Sequence, residues 1–333
     1  MLPLAEVGFA EQTWLLLLKA VLIFAGVFGI VPVLTVAERK VLGRFQARYG
    51  PNRSGPKGML QPLADILKLA GKQQFRPRSA VPLLFSMAPA LVIFSGVMTL
   101  AIIPFGDITS GDFGLYGIDV SIGVLYFFAF GSIAFYGLLL AGWASGSKYS
   151  FLGAMRAAAQ LISYEISMGL SLLGVVMVAG SLSMTDIVSA QEGIWFIVPQ
   201  LVGFLVFMVA GFAETNRAPF DLPEADAELV QGFQTEYGGM PFGAYLLAEY
   251  MEIFVVSGIA TTFFLGGWMG PGPGFLDPIW TLVKIFALIF LFMWIRATLP
   301  RLRYDQLMSL GWKVLLPLAT LNVFVTAVVV TLT

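Results

Sequence analysis

The sequence has no cysteine and no histidine. Without thiolates it can ligate no iron–sulfur cluster, and it lacks the donors of structural zinc and of most haem iron. Disulfides are excluded, so cysteine usage carries no information about compartment. Any redox chemistry must use a partner's cofactor or a diffusible, lipid-soluble one. Charge is scarce as well: Asp, Glu, Lys and Arg make up 12% of 333 residues, against 58% hydrophobic. The scarcest charge is local. No Lys or Arg occurs from 218 to 283, yet that window holds eight carboxylates: Asp221, Glu224, Asp226, Glu228, Glu236, Glu249, Glu252 and Asp277. Carboxylates buried without cations are driven toward the range where they exchange protons.

What is abundant is apolar length. A mean hydropathy of +0.86 identifies an integral membrane protein. We expect an all-α fold with eight transmembrane helices, near Trp14–Ala37, Pro82–Pro104, Val120–Trp143, Ala157–Gly180, Trp195–Ala213, Tyr245–Met269, Pro278–Ile295 and Val314–Leu332, each long enough for a ~30 Å hydrocarbon core. The seventh reads as the shortest. Glu6 and Glu11, rather than a basic stretch, precede the first segment, so it reads as an uncleaved span. The connection 38–81 is too long for a turn. Within 58–71, Met59, Leu60, Leu63, Ile66, Leu67 and Ala70 recur at helical spacing, which predicts an amphipathic surface helix after the first span. We expect one polytopic membrane domain over 1–333.

Charge sets the orientation. Seventeen of the 19 Lys and Arg residues fall in alternate connections: ten in 38–81, two in 144–156, one in 214–244 and four in 296–313. The intervening connections hold no base, so both termini are expected on the outer side and the acidic loop 214–244 on the inner side. Lys19 and Lys284 alone fall within spans. Other motifs dissolve on inspection. Gly50–Lys57 suggests a phosphate loop, but Pro56 and Gly58 break the required Gly-Lys-Ser/Thr order. Asn52-Arg-Ser54 fits a glycosylation sequon on the wrong side, and Gly270–Gly274 is an outer turn.

The intramembrane charges need reasons. Glu165 falls about eight residues into the fourth span, roughly 12 Å deep at the helical rise; such groups are costly and often functional. Glu214 closes the fifth span beside Asn216 and Arg217, while Glu249 and Glu252 share a face of the sixth. The plainer alternatives are a structural hydrogen bond for Glu165 and a solvated loop for the acids after Asp221. Apolar neighbours such as Phe220, Leu222 and Phe233 argue that the loop packs on something. Most of the bases are explained by orientation and anionic lipid.

Several motifs together carry a resemblance: Ala37-Glu-Arg-Lys-Val-Leu-Gly43, Arg48-Tyr-Gly-Pro-Asn-Arg53, Leu60-Gln-Pro-Leu-Ala-Asp-Ile-Leu-Lys68, Ser163-Tyr-Glu165, Ala213-Glu-Thr-Asn-Arg-Ala-Pro-Phe-Asp-Leu-Pro-Glu224, Thr235-Glu-Tyr237, Ala248-Glu-Tyr250 and Arg301-Leu-Arg-Tyr-Asp-Gln306. The chain resembles, over nearly its whole length, the H subunit of the proton-pumping NADH–quinone oxidoreductase, respiratory complex I. The resemblance implies eight membrane helices and a place where the membrane arm meets the peripheral arm. It implies a share in the chamber that admits quinone, the substrate, and no redox cofactor on this chain. NADH, FMN and the iron–sulfur clusters would belong to partner subunits, with the quinone headgroup ligands on peripheral-arm subunits carrying the terminal cluster. Small membrane subunits, antiporter-like subunits and lipid would be the other partners, nucleic acid would not, and a bacterial inner membrane the location. By motif, Glu165, Glu214, Asp221, Glu224, Asp226, Glu228 and Glu249 resemble proton-coupling carboxylates. Arg39, Arg48, Asp65, Arg217 and Arg296 resemble chamber residues. Two departures stand out: Asp226 stands where Glu is frequent, and Gln73 where an acid is. A self-sufficient ion transporter would need ionisable groups spread across the bilayer, whereas these cluster toward one side. A passive anchor would need only the amphipathic helix and basic loops.

Overall fold

The computed structural model describes residues 9–106, 114–222 and 230–332. Among these residues the fold is built of helices α1 (Phe9–Phe45), α2 (Gln61–Gly71), α3 (Pro82–Ala101), α4 (Gly123–Ala144), α5 (Lys148–Ala179), α6 (Met184–Ser189), α7 (Leu201–Glu214), α8 (Met240–Phe264), α9 (Asp277–Thr298), α10 (Tyr304–Leu310) and α11 (Leu316–Leu332). Seven runs are long and apolar enough to cross a membrane, so this is a multi-pass membrane protein. The eighth expected span is α7, apolar but only 14 residues long.

The spans differ from expectation where local chemistry intervenes. The fifth, expected from Trp195, becomes helical only at Leu201. Pro199 lacks an N–H and disfavours α geometry in the residue before it, so 195–200 form turns, with Ile197 N–H donating to the Phe264 carbonyl. The seventh span is not the short one: α9 covers 22 residues and carries a Pro at its start, where its missing N–H is harmless. The fourth begins at Lys148, nine residues earlier than its hydropathy suggests. Glu165 therefore lies seventeen residues into α5, about 26 Å along the axis. The last span joins α10 to α11 through a π-turn at Gly311–Leu315.

Helix α8 occupies the centre; 78% of its most apolar window is buried, against 17% for the last span. The α5 helix packs on α4, α7 and α11, and α3 packs on α4 and α8. Small residues permit these approaches. A Cβ on Gly142 of α4 would lie 2.3 Å from Ala154 Cβ of α5, well inside contact distance, so the two helices meet backbone to backbone. One large apolar core includes Val27, Val31, Leu34, Phe207, Phe254, Phe263 and Phe264.

Connections gather at two ends, as the charge alternation predicts. The base-poor connections meet one another: Val124 N–H donates to Leu182 O, and Thr281 Oγ1 to Phe105 O at 2.7 Å. At the other end Val81 N–H donates to Ala144 O, and Leu302 N–H to Pro219 O. Lys284 does not snorkel. Its ammonium caps the end of α8, donating to the carbonyls of Leu265, Gly267 and Met269 at 2.6–2.8 Å, and sits 4.5 Å from the Trp195 ring centroid.

Candidate functional site

Helix α1 presents two different faces, and the site begins there. Ile23, Val27, Val31, Leu34 and Glu38 recur at three- and four-residue spacing and are all buried. The stripe ends in a carboxylate that is 4% exposed. A buried charge persists only if paired, and Glu38 is paired twice. Arg217 Nη1 reaches both its oxygens, at 2.9 and 3.0 Å, and Arg296 Nη1 of α9 reaches Oε1.

Arg217 is the hub of this cluster. Its Nη2 is 3.4 Å from Glu249 Oε2 of α8, and its guanidinium lies 4.4 Å from the centroid of the Tyr250 ring. Burial works against its charge, but the Glu249 and Glu38 carboxylates hold the guanidinium above its ordinary pKa. The loop that presents it is fixed by a buried glutamine: Gln160 Nε2 of α5 donates to Ala213 O at 2.7 Å and Phe220 O at 2.9 Å. Asn216, at φ 49°, turns the chain out of α7, a conformation that Asn tolerates better than most residues. Tyr237, pushed up to about 12 by burial, stays a donor and bonds Phe85 O at 3.1 Å.

From Arg217 the charged groups continue into the bundle. Glu249 accepts from Gln234 Nε2 at 3.2 Å, and the next acid on its helix, Glu252, feels the charge of Glu249 first and then of Arg217. Glu214 lies within electrostatic reach of both Glu165 and Glu252, and its Oε2 is buried without a hydrogen-bond partner. Glu165 accepts from Ser132 Oγ of α4 at 3.0 Å. The sequence Arg296, Glu38, Arg217, Glu249, Glu252, Glu214, Glu165 is thus a row in which each group bears on the next.

Asp221 stands at the edge of the row. Burial raises its carboxyl above the ordinary range, and Arg301 opposes that. Because the folded-state pKa lies above the unfolded one, the group favours the fold fully below the ordinary value of 3.8. That contribution is lost as pH rises through the folded-state value. Asp221→Asn is expected to flatten the pH dependence of thermal stability in the window between 3.8 and the folded-state value. An unchanged slope in thermal inactivation profiles would contradict a buried, protonatable Asp221.

The second face of α1 borders an apolar cavity of about 320 Å³. Phe28, Pro32 and Thr35, with Val31 where the two faces meet, face Ile66 and Leu69 of α2 and Ala244, Leu246 and Leu247 of α8 there. Among the described residues, the charged members of its lining are Arg39 and Asp65, paired at 2.9 Å and partly exposed. Such a space suits an apolar, chain-like ligand with a polar end.

The expected residues therefore separate into groups. Arg39 and Asp65 border the cavity. Arg217 and Arg296, expected with them, instead pair with Glu38 in the buried row. Arg48 lies apart, on a basic surface hollow of about 870 Å³ with Lys40, Arg44 and Lys57, and donates to Gln46. Glu165, Glu214 and Glu249 belong to the row and Asp221 to its edge. Glu224, Asp226 and Glu228 lie outside the described residues. Two members of the row are not among the site residues expected from the sequence. Glu38 is hidden in the basic run Glu38-Arg39-Lys40, although its helical register with Val31 and Leu34 marks it as inward-facing. Glu252 stands out in the sequence only as a neighbour of Glu249. Among the described residues no group of three or more acids resembles a metal site.

A family model described as NADH dehydrogenase matches residues 18–327. The chain is 54% identical over 312 residues to the second NADH-quinone oxidoreductase H subunit of Geobacter sulfurreducens, covering 92% of this chain and 94% of that one. It belongs to the family of NADH-quinone oxidoreductase H subunits. The first H subunit of Geobacter metallireducens is likewise 54% identical, over 93% of this chain and 94% of its own. The H subunit of Paramagnetospirillum magneticum is 47% identical over 97% of this chain and 94% of its own.

Proposed function

We propose that this protein is the quinone-access and energy-coupling membrane subunit of an H⁺-translocating NADH:quinone oxidoreductase. The 320 Å³ cavity takes the quinone tail, and the buried row transmits the consequences of quinone reduction into the membrane. One observation carries the reading: the cavity and the row share two helices. Arg39 at the cavity follows Glu38 of the row on α1, and Leu247 of the cavity lies two residues before Glu249 on α8. A change of charge or position at the cavity therefore acts on the row over the shortest covalent distance.

In this reading the chain holds quinone as substrate and no redox centre of its own. Reducing equivalents come from NADH through FMN and iron–sulfur clusters in peripheral-arm subunits, which also supply the headgroup site. Small membrane subunits and antiporter-like subunits receive the coupling signal. Asp221, and the acids Glu224, Asp226 and Glu228 of the same loop, link the row to the quinone end. The protein lies in a bacterial inner membrane with both termini outside, and Arg48 with its basic neighbours faces the peripheral arm.

Filling the cavity tests the first half of this proposal. Ala244→Phe in the assembled complex is expected to raise KM for a long-chain quinone several-fold while NADH oxidation with an artificial acceptor is unchanged. That pattern reports lost binding rather than lost chemistry. An unaltered KM, with the complex assembled, would remove the cavity from the quinone route.

A further inference from the structure

We propose that Trp312, and the π-turn that carries it, position Glu165, so that the last membrane helix acts on the carboxylate row. The proposal rests on the reading of Glu165 as a coupling group. Residues 304–332 run as one membrane helix except at Gly311–Leu315, where the backbone widens into a π-turn. Such a turn holds one residue more than the α-helix allows and recurs at functional sites. Relative to an uninterrupted helix it displaces the following side chains by about 100° around the axis.

Both neighbours of Glu165 on its N-terminal side are held by this turn. Trp312 Nε1 donates to Ser163 Oγ at 3.1 Å. The Ser163 hydroxyl hydrogen is committed to Ala159 O at 2.6 Å, which leaves its oxygen as an acceptor for the indole. Tyr164 is fully buried and packs on Gly311, where an added Cβ would lie 3.3 Å from its ring. Its hydroxyl donates to Leu307 O, in the turn just before the π-turn, at 2.9 Å. Consecutive residues on a helix point about 100° apart, so these two contacts fix both the height and the rotation of α5 at this level. Glu165 is the next residue, directed to Ser132 of α4 and within reach of the charge on Glu214.

An indole that is 47% exposed in a lipid-facing helix has no need of a polar partner inside the bundle. Trp312 has one, Ser163, and makes that bond from within the π-turn. If the turn relaxed to α geometry, the indole would leave Ser163, Tyr164 would lose its flat seat on Gly311, and Glu165 would move relative to Ser132 and Glu214. Trp312 and Ser163 are positioning residues in this scheme; neither exchanges a proton.

The test uses the assembled complex. The readout is kcat for quinone reduction divided by the rate of NADH oxidation with an artificial acceptor, which corrects for the amount assembled. Trp312→Phe and Ser163→Ala are each expected to lower this ratio roughly three- to tenfold, the weight of one hydrogen bond, with KM for quinone unchanged. Ser163→Thr retains the acceptor oxygen and should keep the wild-type ratio. Trp312→Phe added to Glu165→Gln should produce no further fall. A wild-type ratio in Trp312→Phe, or the same fall repeated in the Glu165→Gln background, overturns the proposal. Should Trp312→Phe not assemble, Ser163→Ala reads the same bond. If Glu165→Gln alone is silent, the reading of Glu165 itself fails; if Glu165→Gln is impaired and Trp312→Phe is not, only the positioning role fails.

Discussion

Replacing Arg217 by Met is expected to destabilise the protein by about 3–5 kcal/mol, the typical cost of removing one partner from a buried ion pair. Arg217 is 8% exposed, Glu38 4%, so the change leaves Glu38 with the partly exposed Arg296 and the Tyr250 hydroxyl, and Glu249 with no cation in contact among the described residues. The penalty comes from the stranded carboxylates rather than from the lost side-chain volume, which Met largely restores. Arg217→Lys keeps the charge but not the two contacts made to Glu38 by one guanidinium, and should fall between. The double substitution Arg217→Met with Glu38→Leu should recover part of the loss, because apolar replacement of both partners is often tolerated. Thermal inactivation of the purified complex, together with the yield of assembled enzyme, measures each step. A double variant no more stable than Arg217→Met would show that Glu38 is not the stranded group.

The second large effect is on coupling rather than stability. On the proposed coupling role, Glu214→Gln is expected to lower quinone reduction at least tenfold and to abolish the proton translocation proposed to accompany it, with artificial-acceptor NADH oxidation intact. Glu214 bears electrostatically on both Glu165 and Glu252, so replacing its ionisable carboxyl interrupts the row between them. Its Oε2 has no hydrogen-bond partner, so a nearly isosteric amide strands no partner that depends on that oxygen. That isolates the exchangeable proton as the variable. Glu214→Asp keeps an ionisable carboxyl with a shorter reach and should retain partial activity. Full coupled turnover in Glu214→Gln would mean that the row does not carry the signal.

Much of this architecture was legible from the chain. Hydropathy located the membrane helices, and the distribution of Lys and Arg separated the two ends at which the connections gather. The amphipathic helix followed from the spacing of Leu63, Ile66 and Leu67. Some boundaries were not legible, because hydropathy averages over a window while helix formation is decided residue by residue. Pro199 delays α7, and the polar start of α5 from Lys148 is helical although it is not hydrophobic. The candidate acids Glu165, Glu214 and Glu249 could be picked out because a carboxylate in an apolar chain is conspicuous. Glu38 was not conspicuous, since its neighbours Arg39 and Lys40 made it look like part of a solvated basic run.

The sequence by itself determined that this protein spans a membrane, has no thiolate or imidazole to hold a redox metal, and holds a window of acids without bases. These are properties of composition and order, and no folding can alter them. Which charges are uncompensated was decided only by the tertiary structure. Arg217 bounds the base-free window from just outside and, once folded, brings Glu38 and Glu249 together from helices far apart in the chain. Glu214, Glu252 and Glu165 lie farther along, where no base contacts them among the described residues. Pairing depends on which side chains share a buried space, and in a bundle of helices that is set by packing between distant segments rather than by spacing along one of them.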